Sequence, residues 1–101
     1  MDVRGIGVLE DFWTKHRDVE SPLRKWMVVI AGAQWSDFTA CRKTFASADQ
    51  VKVRAGVVTV FNIKGNRYRL IAAIQYPLNL IVVRRVMTHE DYSENRWKEQ
   101  L

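Results

Sequence analysis

The residue pair best suited to chemistry lies near the end of the chain, where Tyr92 follows His89 by three positions. Three residues are close to one helical turn, so both side chains point the same way if a turn or helix begins there. A histidine side chain exchanges protons near neutral pH, which makes His89 a candidate general acid or base. A plain helix cap formed by Thr88 and His89 satisfies the same spacing. Spacing alone leaves both interpretations open.

Fixed positive charge accompanies this pair. Seven of the 16 basic side chains lie between Asp49 and Glu90, and none of the 11 acidic ones does. This asymmetry indicates a polyanionic or strongly acidic partner, and a basic surface that only maintains solubility is the alternative. Metal-free RNA cleavage needs an acid–base group near the sugar 2′-hydroxyl and positive charge at the phosphate. The seven residues are Lys52, Arg54, Lys64, Arg67, Arg69, Arg84 and Arg85.

Other kinds of site lack the residues they need. The only histidines, His16 and His89, have no cysteine or histidine partner at ligand spacing, so we expect no metal site. The single cysteine, Cys41, excludes an internal disulfide framework and is expected to be a buried thiol. Gly5 and Gly7 do not form a phosphate-binding loop, because no third glycine follows them. We therefore expect no cofactor of any kind.

Size and composition are those of one globular domain. The chain has 101 residues and a net charge of +5, with 48% hydrophobic and 27% charged residues. We expect a single domain over residues 1–101 with one core. No apolar run approaches the roughly 20 residues of a bilayer span, and the first residues do not form a secretory signal. The expected protein is cytoplasmic and does not contact a membrane.

The first half of the chain predicts three helices, because its apolar residues recur at three-and-four spacing. Ser21 and Pro22 begin the second helix and Gly32 ends it, whereas the third begins at Ser36 or Asp37. Residues 46–55 are expected to form a loop. The residues that recur on one face are Val8, Leu9, Phe12, Trp13 and His16, then Leu23, Trp26, Met27 and Ile30, then Phe38, Cys41 and Phe45.

The second half predicts strands. Two β-branched runs flank a tight turn at residues 63–66, which is typical of a hairpin. In the second run Tyr68 and every alternate residue to Ile74 face the helices, and Arg67 and Arg69 face the other way. A further strand covers residues 80–87, and the tail can form a final helix with Tyr92 and Trp97 as its large apolar contacts. The fold class is α+β: helices on one face of a twisted, mainly antiparallel sheet of three to four strands, and a short C-terminal helix.

The hairpin turn combines structural and functional candidates. Gly65 is expected to have a positive φ, and Asn62 and Asn66 are expected to orient the turn through side-chain hydrogen bonds to the backbone. Lys64, at the tip, is the exposed member and a candidate RNA contact.

These motifs resemble the HigB family of bacterial type II toxins, part of the RelE/ParE superfamily. The resemblance is carried by the run Phe61–Leu70, followed by Arg84, Val86, Thr88-His89 and Tyr92. It extends to the opening helices, to Trp35 and to the segment from Phe45 to Asp49. Ala46 departs from the family, since many members have proline there, and Arg85 occupies a variable position.

The resemblance implies a RelE-like fold and a ribosome-dependent, metal-independent endoribonuclease that cleaves mRNA. Attack of the 2′-hydroxyl on the adjacent phosphate leaves a 2′,3′-cyclic phosphate and a 5′-hydroxyl. The implied partners are the ribosome, mRNA and a HigA-like antitoxin that carries a DNA-binding domain. On this hypothesis Arg69 stabilises the scissile phosphate, His89 is the acid or base, and Tyr92 orients the substrate or stacks on a base. The RNA contacts are Lys64, Arg67, Arg84 and Arg85, and structural support of His89 is the alternative role of Arg84. We expect Lys64, Arg67, Arg69 and Arg84 to form one positive surface. Lys52 and Arg54 are further candidates for it, with pairing to acidic residues as the alternative.

Three alternatives stay open. A ParE-like poison of DNA gyrase shares the scaffold without nuclease chemistry, although it has no need of an acid–base histidine. A plain nucleic-acid-binding module is a second alternative, but the predicted sheet offers few exposed aromatic rings for base stacking. A decayed toxin that only holds its antitoxin is the third.

Overall fold

The computed structural model describes residues 1–101 and has an α+β architecture, as predicted. The sheet contains five strands in the order β1-β5-β4-β3-β2, with β1 parallel to β5 and all other neighbours antiparallel. No helix has the length and apolar character needed to cross a bilayer. The strands are β1 (Asp2–Arg4), β2 (Asp49–Val53), β3 (Gly56–Ile63), β4 (Tyr68–Gln75) and β5 (Leu80–Thr88). The helices are α1 (Ile6–Lys15), α2 (Glu20–Ala31), α3 (Phe38–Thr44), α4 (His89–Ser93) and α5 (Trp97–Gln100).

The predicted count of three to four strands is too low, because the sequence pattern does not clearly indicate either edge strand. β2 lies inside the segment 46–55 that was expected to be a loop. Val51 and Val53 alternate with the exposed polar residues Gln50 and Lys52, and an alternation that contains only two apolar residues is a weak signal for a strand. β1 has only three residues, too few to show a period.

One side of the sheet, here called the helix face, packs against α1, α2 and α3. Tyr68, Leu70 and Ala72 of β4 point to this side, as predicted, and join a core of 19 buried residues. Cys41 of α3 is fully buried there, and burial raises the pKa of its thiol to about 11. Gly5 turns the chain from β1 into α1 with a φ of 85°, where an added Cβ would lie 2.5 Å from the Val83 carbonyl oxygen.

The opposite side of the sheet, here called the tail face, is covered by residues 89–101. The predicted single final helix is two short helices, α4 and α5, separated at Asn95, whose φ is 65°. Trp97 packs into a cluster of six buried residues on this side. The backbone N–H groups of Arg54 and Ala55 donate to the carbonyls of Lys98 and Leu101, which ties the tail to the turn between β2 and β3. The tail face is therefore closed where an open basic surface was expected.

Candidate active site

The junction between β5 and α4 positions His89 and Tyr92. Thr88 caps α4 because its hydroxyl oxygen accepts a hydrogen bond from the Asp91 N–H at 3.2 Å. His89 is the first residue of the helix, and its backbone N–H donates to the Arg67 carbonyl at 2.9 Å. The helix cap anticipated from spacing is present, and Thr88 alone forms it. The cap leaves the His89 side chain available for other contacts.

Arg69 lies against both His89 and Tyr92. It is directly opposite Met87 in the β4–β5 pairing and only 8% exposed. Its Nη2 is 3.4 Å from Nδ1 of His89, and its guanidinium carbon is 5.3 Å from the centre of the Tyr92 ring. The three residues predicted to be catalytic are therefore neighbours, and we refer to them as the Arg69 cluster.

The guanidinium of Arg69 is held by the hairpin turn. Nη1 donates to the carbonyls of Asn66 at 3.0 Å and Tyr68 at 3.2 Å, and Nη2 donates to the side-chain oxygen of Asn66. Asn66 thus orients Arg69, where we had expected it to orient the turn backbone. The Asn62 side chain makes no hydrogen bond, so the expected bond from Asn62 to the turn is wrong.

The contact with Arg69 determines which ring nitrogen of His89 carries a proton. A guanidinium group only donates, so Nδ1 accepts this hydrogen bond when it carries no proton. The neutral ring then carries its proton on Nε2. At 3.4 Å the contact is long, which suits an orienting role better than a strong bond.

A cleft of about 460 Å³, here called the His89 cleft, opens where β4 begins and β5 ends. Its volume falls in the range of about 300–1,000 Å³ typical of small-molecule sites. Its lining is almost entirely polar, which suits a charged substrate. The lining residues are Asp18, Asn66, Arg67, Tyr68, Thr88, His89 and Glu90.

Asp18, between α1 and α2, is a cleft residue that no sequence pattern identified as functional. Its carboxylate accepts hydrogen bonds from Lys64 Nζ at 3.0 Å and from the Tyr68 hydroxyl at 2.9 Å, and Arg67 Nη1 lies 3.8 Å away. The hydrogen bond from Lys64, followed by that from Tyr68, lowers the pKa of Asp18. Burial and the bond to Asp18 raise the pKa of Tyr68. The Asp18 carboxylate is therefore surrounded by hydrogen-bond donors.

Comparison with protein-family models matches residues 19–95 to HigB_toxin, the RelE-like toxic component of a toxin–antitoxin system. The chain belongs to this HigB toxin family. Membership implies an antitoxin partner. Comparison with curated proteins gave no match. The whole Arg69 cluster lies within the matched residues, whereas Asp18 and Trp97 lie just outside them.

The hairpin turn of this HigB-family toxin differs from expectation at Lys64. Gly65 has the predicted positive φ, at 65°, but Lys64 also has one, at 53°. Lys64 is exposed at the tip, as predicted, and its side chain forms an ion pair with Asp18 that was not predicted. The Lys64 ammonium group lies at the edge of the His89 cleft, because its ion-pair partner Asp18 lines that cleft.

The other basic residues of the HigB-family toxin do not form the one continuous surface that was predicted. A bulge in β5 leaves Arg84 without a pairing partner, between Val83 opposite Ala72 and Arg85 opposite Ile71. Arg84 lines a groove against α1, and Arg85 donates to the Gln100 side chain over the tail. Lys52 and Arg54 lie at the far β2 edge and form no ion pair. Arg67 lines the His89 cleft and Lys64 lies at its edge, and His89 is the one member of the Arg69 cluster that lines the cleft.

Proposed function

We propose that this toxin is a ribosome-dependent endoribonuclease that cleaves mRNA through attack of the 2′-hydroxyl on the adjacent phosphate. The observation that carries the proposal is the Arg69 cluster, in which a histidine at the edge of a polar cleft contacts a buried arginine. Family membership supports it, since the matched family is described as RelE-like. Residues 1–101 act in this proposal as one toxin domain.

The reaction moves one proton off the 2′-oxygen and one onto the 5′-oxygen, while the phosphorus exchanges its bond to the 5′-oxygen for one to the 2′-oxygen. His89 is the proton-handling residue, because histidine is the side-chain type that exchanges protons near neutral pH. Its Nδ1 faces Arg69, so Nε2 is the nitrogen left for the substrate. In the neutral ring the proton on Nε2 can only donate a hydrogen bond to a phosphate oxygen, and transfer of a proton to the leaving 5′-oxygen requires the cationic ring, which carries a proton on both nitrogens.

Arg69 supplies fixed positive charge at the reacting phosphate in this proposal. Both of its terminal nitrogens are hydrogen-bonded within the protein, so its charge and its hold on His89 are its main contributions. Preorganised charge of this kind is commonly the largest single term in such catalysis.

Tyr92 has a supporting role. Its ring contacts both Arg69 and Trp97, which favours orientation of the cluster over stacking on a base. Burial, followed by the charge of Asp49, raises the pKa of Tyr92 and keeps its phenol protonated.

Substrate binding is assigned to the basic residues at and around the cleft. When RNA binds, Lys64 and Arg67 exchange their contacts with Asp18 for contacts with RNA phosphates. Arg84 and Arg85 contact RNA from outside the cleft, as separate points of attachment to the ribosome or message. We assign the antitoxin to the HigA-like class on the resemblance alone.

The test uses purified toxin with ribosomes that carry a labelled mRNA, and with the same mRNA alone. We expect cleavage only on the ribosome, with new 3′ ends that carry a 2′,3′-cyclic phosphate. A message with a single 2′-deoxynucleotide at the cleaved position should resist cleavage, because the attacking oxygen is absent. Lack of cleavage, together with inhibition of gyrase in a supercoiling assay, would replace the proposal with the ParE-like alternative.

A further inference from the structure

We infer that Trp97 is a positioning residue for the Arg69 cluster, acting through Tyr92. Trp97 begins α5, is 3% exposed and lies outside the residues matched to the family. Its ring stacks on that of Tyr92, with centres 5.2 Å apart and planes 20° from parallel. Its indole N–H donates to the Tyr92 carbonyl at 3.0 Å. Two different contacts therefore fix Tyr92 to one buried side chain.

Besides Trp97, the helix that carries His89 and Tyr92 is held by the Thr88 cap and by the hydrogen bond from the His89 N–H to the Arg67 carbonyl, both in its first turn. α4 has five residues and none of them is buried. A helix this short is not stable by itself, so tertiary contacts must fix its position. Of the large side chains in the tail, Trp97 is the one that is inserted under the sheet, beside Val58, Val60, Ile71 and Met87.

A chain of contacts connects Trp97 to the reacting groups. Trp97 holds Tyr92, the Tyr92 ring lies 5.3 Å from the guanidinium carbon of Arg69, and Arg69 lies 3.4 Å from Nδ1 of His89. Trp97 touches neither Arg69 nor His89 through a hydrogen bond. Its effect on His89 passes through the rings and the guanidinium group.

This inference rests on the proposed nuclease function for its effect on rate, but its structural part does not. A displacement of about 1 Å at a reacting group can cost about 100-fold in rate. We expect Trp97→Leu, which keeps an apolar side chain in the cluster but removes the ring and the indole N–H, to lower the single-turnover rate about 10- to 100-fold. Binding to ribosomes should stay within about twofold, since Lys64 and Arg67 are untouched.

The deciding experiment measures the ring nitrogens of His89 by nitrogen-15 NMR in the full-length protein. In the wild type we expect the neutral ring to have an unprotonated Nδ1 and a protonated Nε2. Trp97→Leu should shift these signals towards rapid exchange between the two tautomers. His16, which stacks on Phe12 at 4.1 Å, is the internal reference and should not change.

Two further variants separate positioning from general destabilisation. Val58→Ala removes buried volume from the same cluster and leaves both contacts between Trp97 and Tyr92 in place, so it should lower stability and leave the His89 signals and the rate unchanged. Trp97→Phe keeps a ring for stacking but lacks the N–H donor, so it should restore most of the rate that Trp97→Leu loses.

Wild-type His89 signals in Trp97→Leu would overturn the inference. So would equal changes in Trp97→Leu and Val58→Ala, or equal losses in the Leu and Phe variants. A wild-type protein that fails to cleave mRNA would overturn the proposed function, while the nitrogen signals would still test Trp97.

Discussion

The two faces of the sheet differ in size of core and in kind of residue. The helix face buries 19 residues among α1, α2, α3 and the strands, and none of them has a charged side chain. The tail face buries a cluster of six under two helices of five and four residues. Arg69, the one buried charged side chain, points to this second face.

On the proposed nuclease function, the helix face stabilises the fold and the tail face carries the residues that act on RNA. Large apolar burial fixes the fold, because free energy of folding scales with the apolar area removed from water. A buried arginine needs hydrogen-bond partners, and the tail face supplies them through Asn66, Tyr68 and His89. The smaller core leaves room for this polar arrangement at the end of the strands.

Replacement of Arg69 should have the largest effect on function. We expect Arg69→Ala to lower the cleavage rate on programmed ribosomes about 10²–10⁴-fold, since a charge-stabilising group is lost. Arg69→Lys is the matched control: it keeps the charge but lacks the planar fork that contacts Asn66 and His89. The lysine variant should recover only a small part of the rate. Full recovery would show that charge alone matters and that the fork does not.

A large-to-small change on the helix face should lower stability and leave the cleavage rate almost unchanged. Leu23 is fully buried in α2, so Leu23→Ala should cost about 2–5 kcal/mol in the free energy of unfolding. The cleavage rate per folded molecule should stay near that of the wild type. Urea denaturation gives the first quantity, and a rate normalised to folded protein gives the second. A cleavage defect at full folding would argue against the division between the faces.

Lys64 tests the cleft rim, with a smaller expected effect. Lys64→Ala should weaken ribosome binding and reduce the slope of log affinity against log salt by about 0.7–0.9 for one lost phosphate contact. Lys43→Ala, on the exposed side of α3, is the matched control of equal charge change. Stability should fall by no more than about 1 kcal/mol, as for other exposed ion pairs. Equal slopes for the two variants would remove Lys64 from the RNA interface.

The smallest expected effect is on the acid dependence of stability. The lowered pKa of Asp18 means that the folded protein holds its carboxylate ionised more readily than the unfolded chain does. The resulting stabilisation is present at neutral pH and is lost as pH falls below the ordinary aspartate value of 3.8. Thermal unfolding should favour the wild type over Asp18→Asn at pH 7, and the difference should vanish in acid. A difference that persists unchanged at low pH would point to a role independent of charge.

The sequence predicted the parts of the fold that depend on local periodicity. The alternation from Tyr68 to Ile74 identified the helix face of β4. Of the two predicted starts of the third helix, Ser36 and Asp37, it is Asp37 that caps α3, where its side chain accepts from the Ala40 N–H. Gly65 was correctly expected at a positive φ. Each of these depends on a few neighbouring residues, which is why the sequence reveals it.

Other features depend on contacts between distant residues. Asp18 meets Lys64 across 46 positions, and no local pattern marks that pairing. The bulge beside Arg84 shifts the register by one residue, so alternation alone misplaces Arg84 and Arg85. Trp97 closes the tail face through a cluster whose other members come from β2, β3, β4 and β5.

The central claim is that the tail face carries the chemistry of this toxin, and His89 tests it most directly. The measurement is the single-turnover cleavage rate of His89→Gln on programmed ribosomes, beside its free energy of unfolding. We expect a rate about 10²–10⁴-fold below that of the wild type with unchanged stability, because only proton handling is lost. A rate within about threefold of the wild type, or full growth arrest by a His89→Gln, Tyr92→Phe double variant, would contradict the claim.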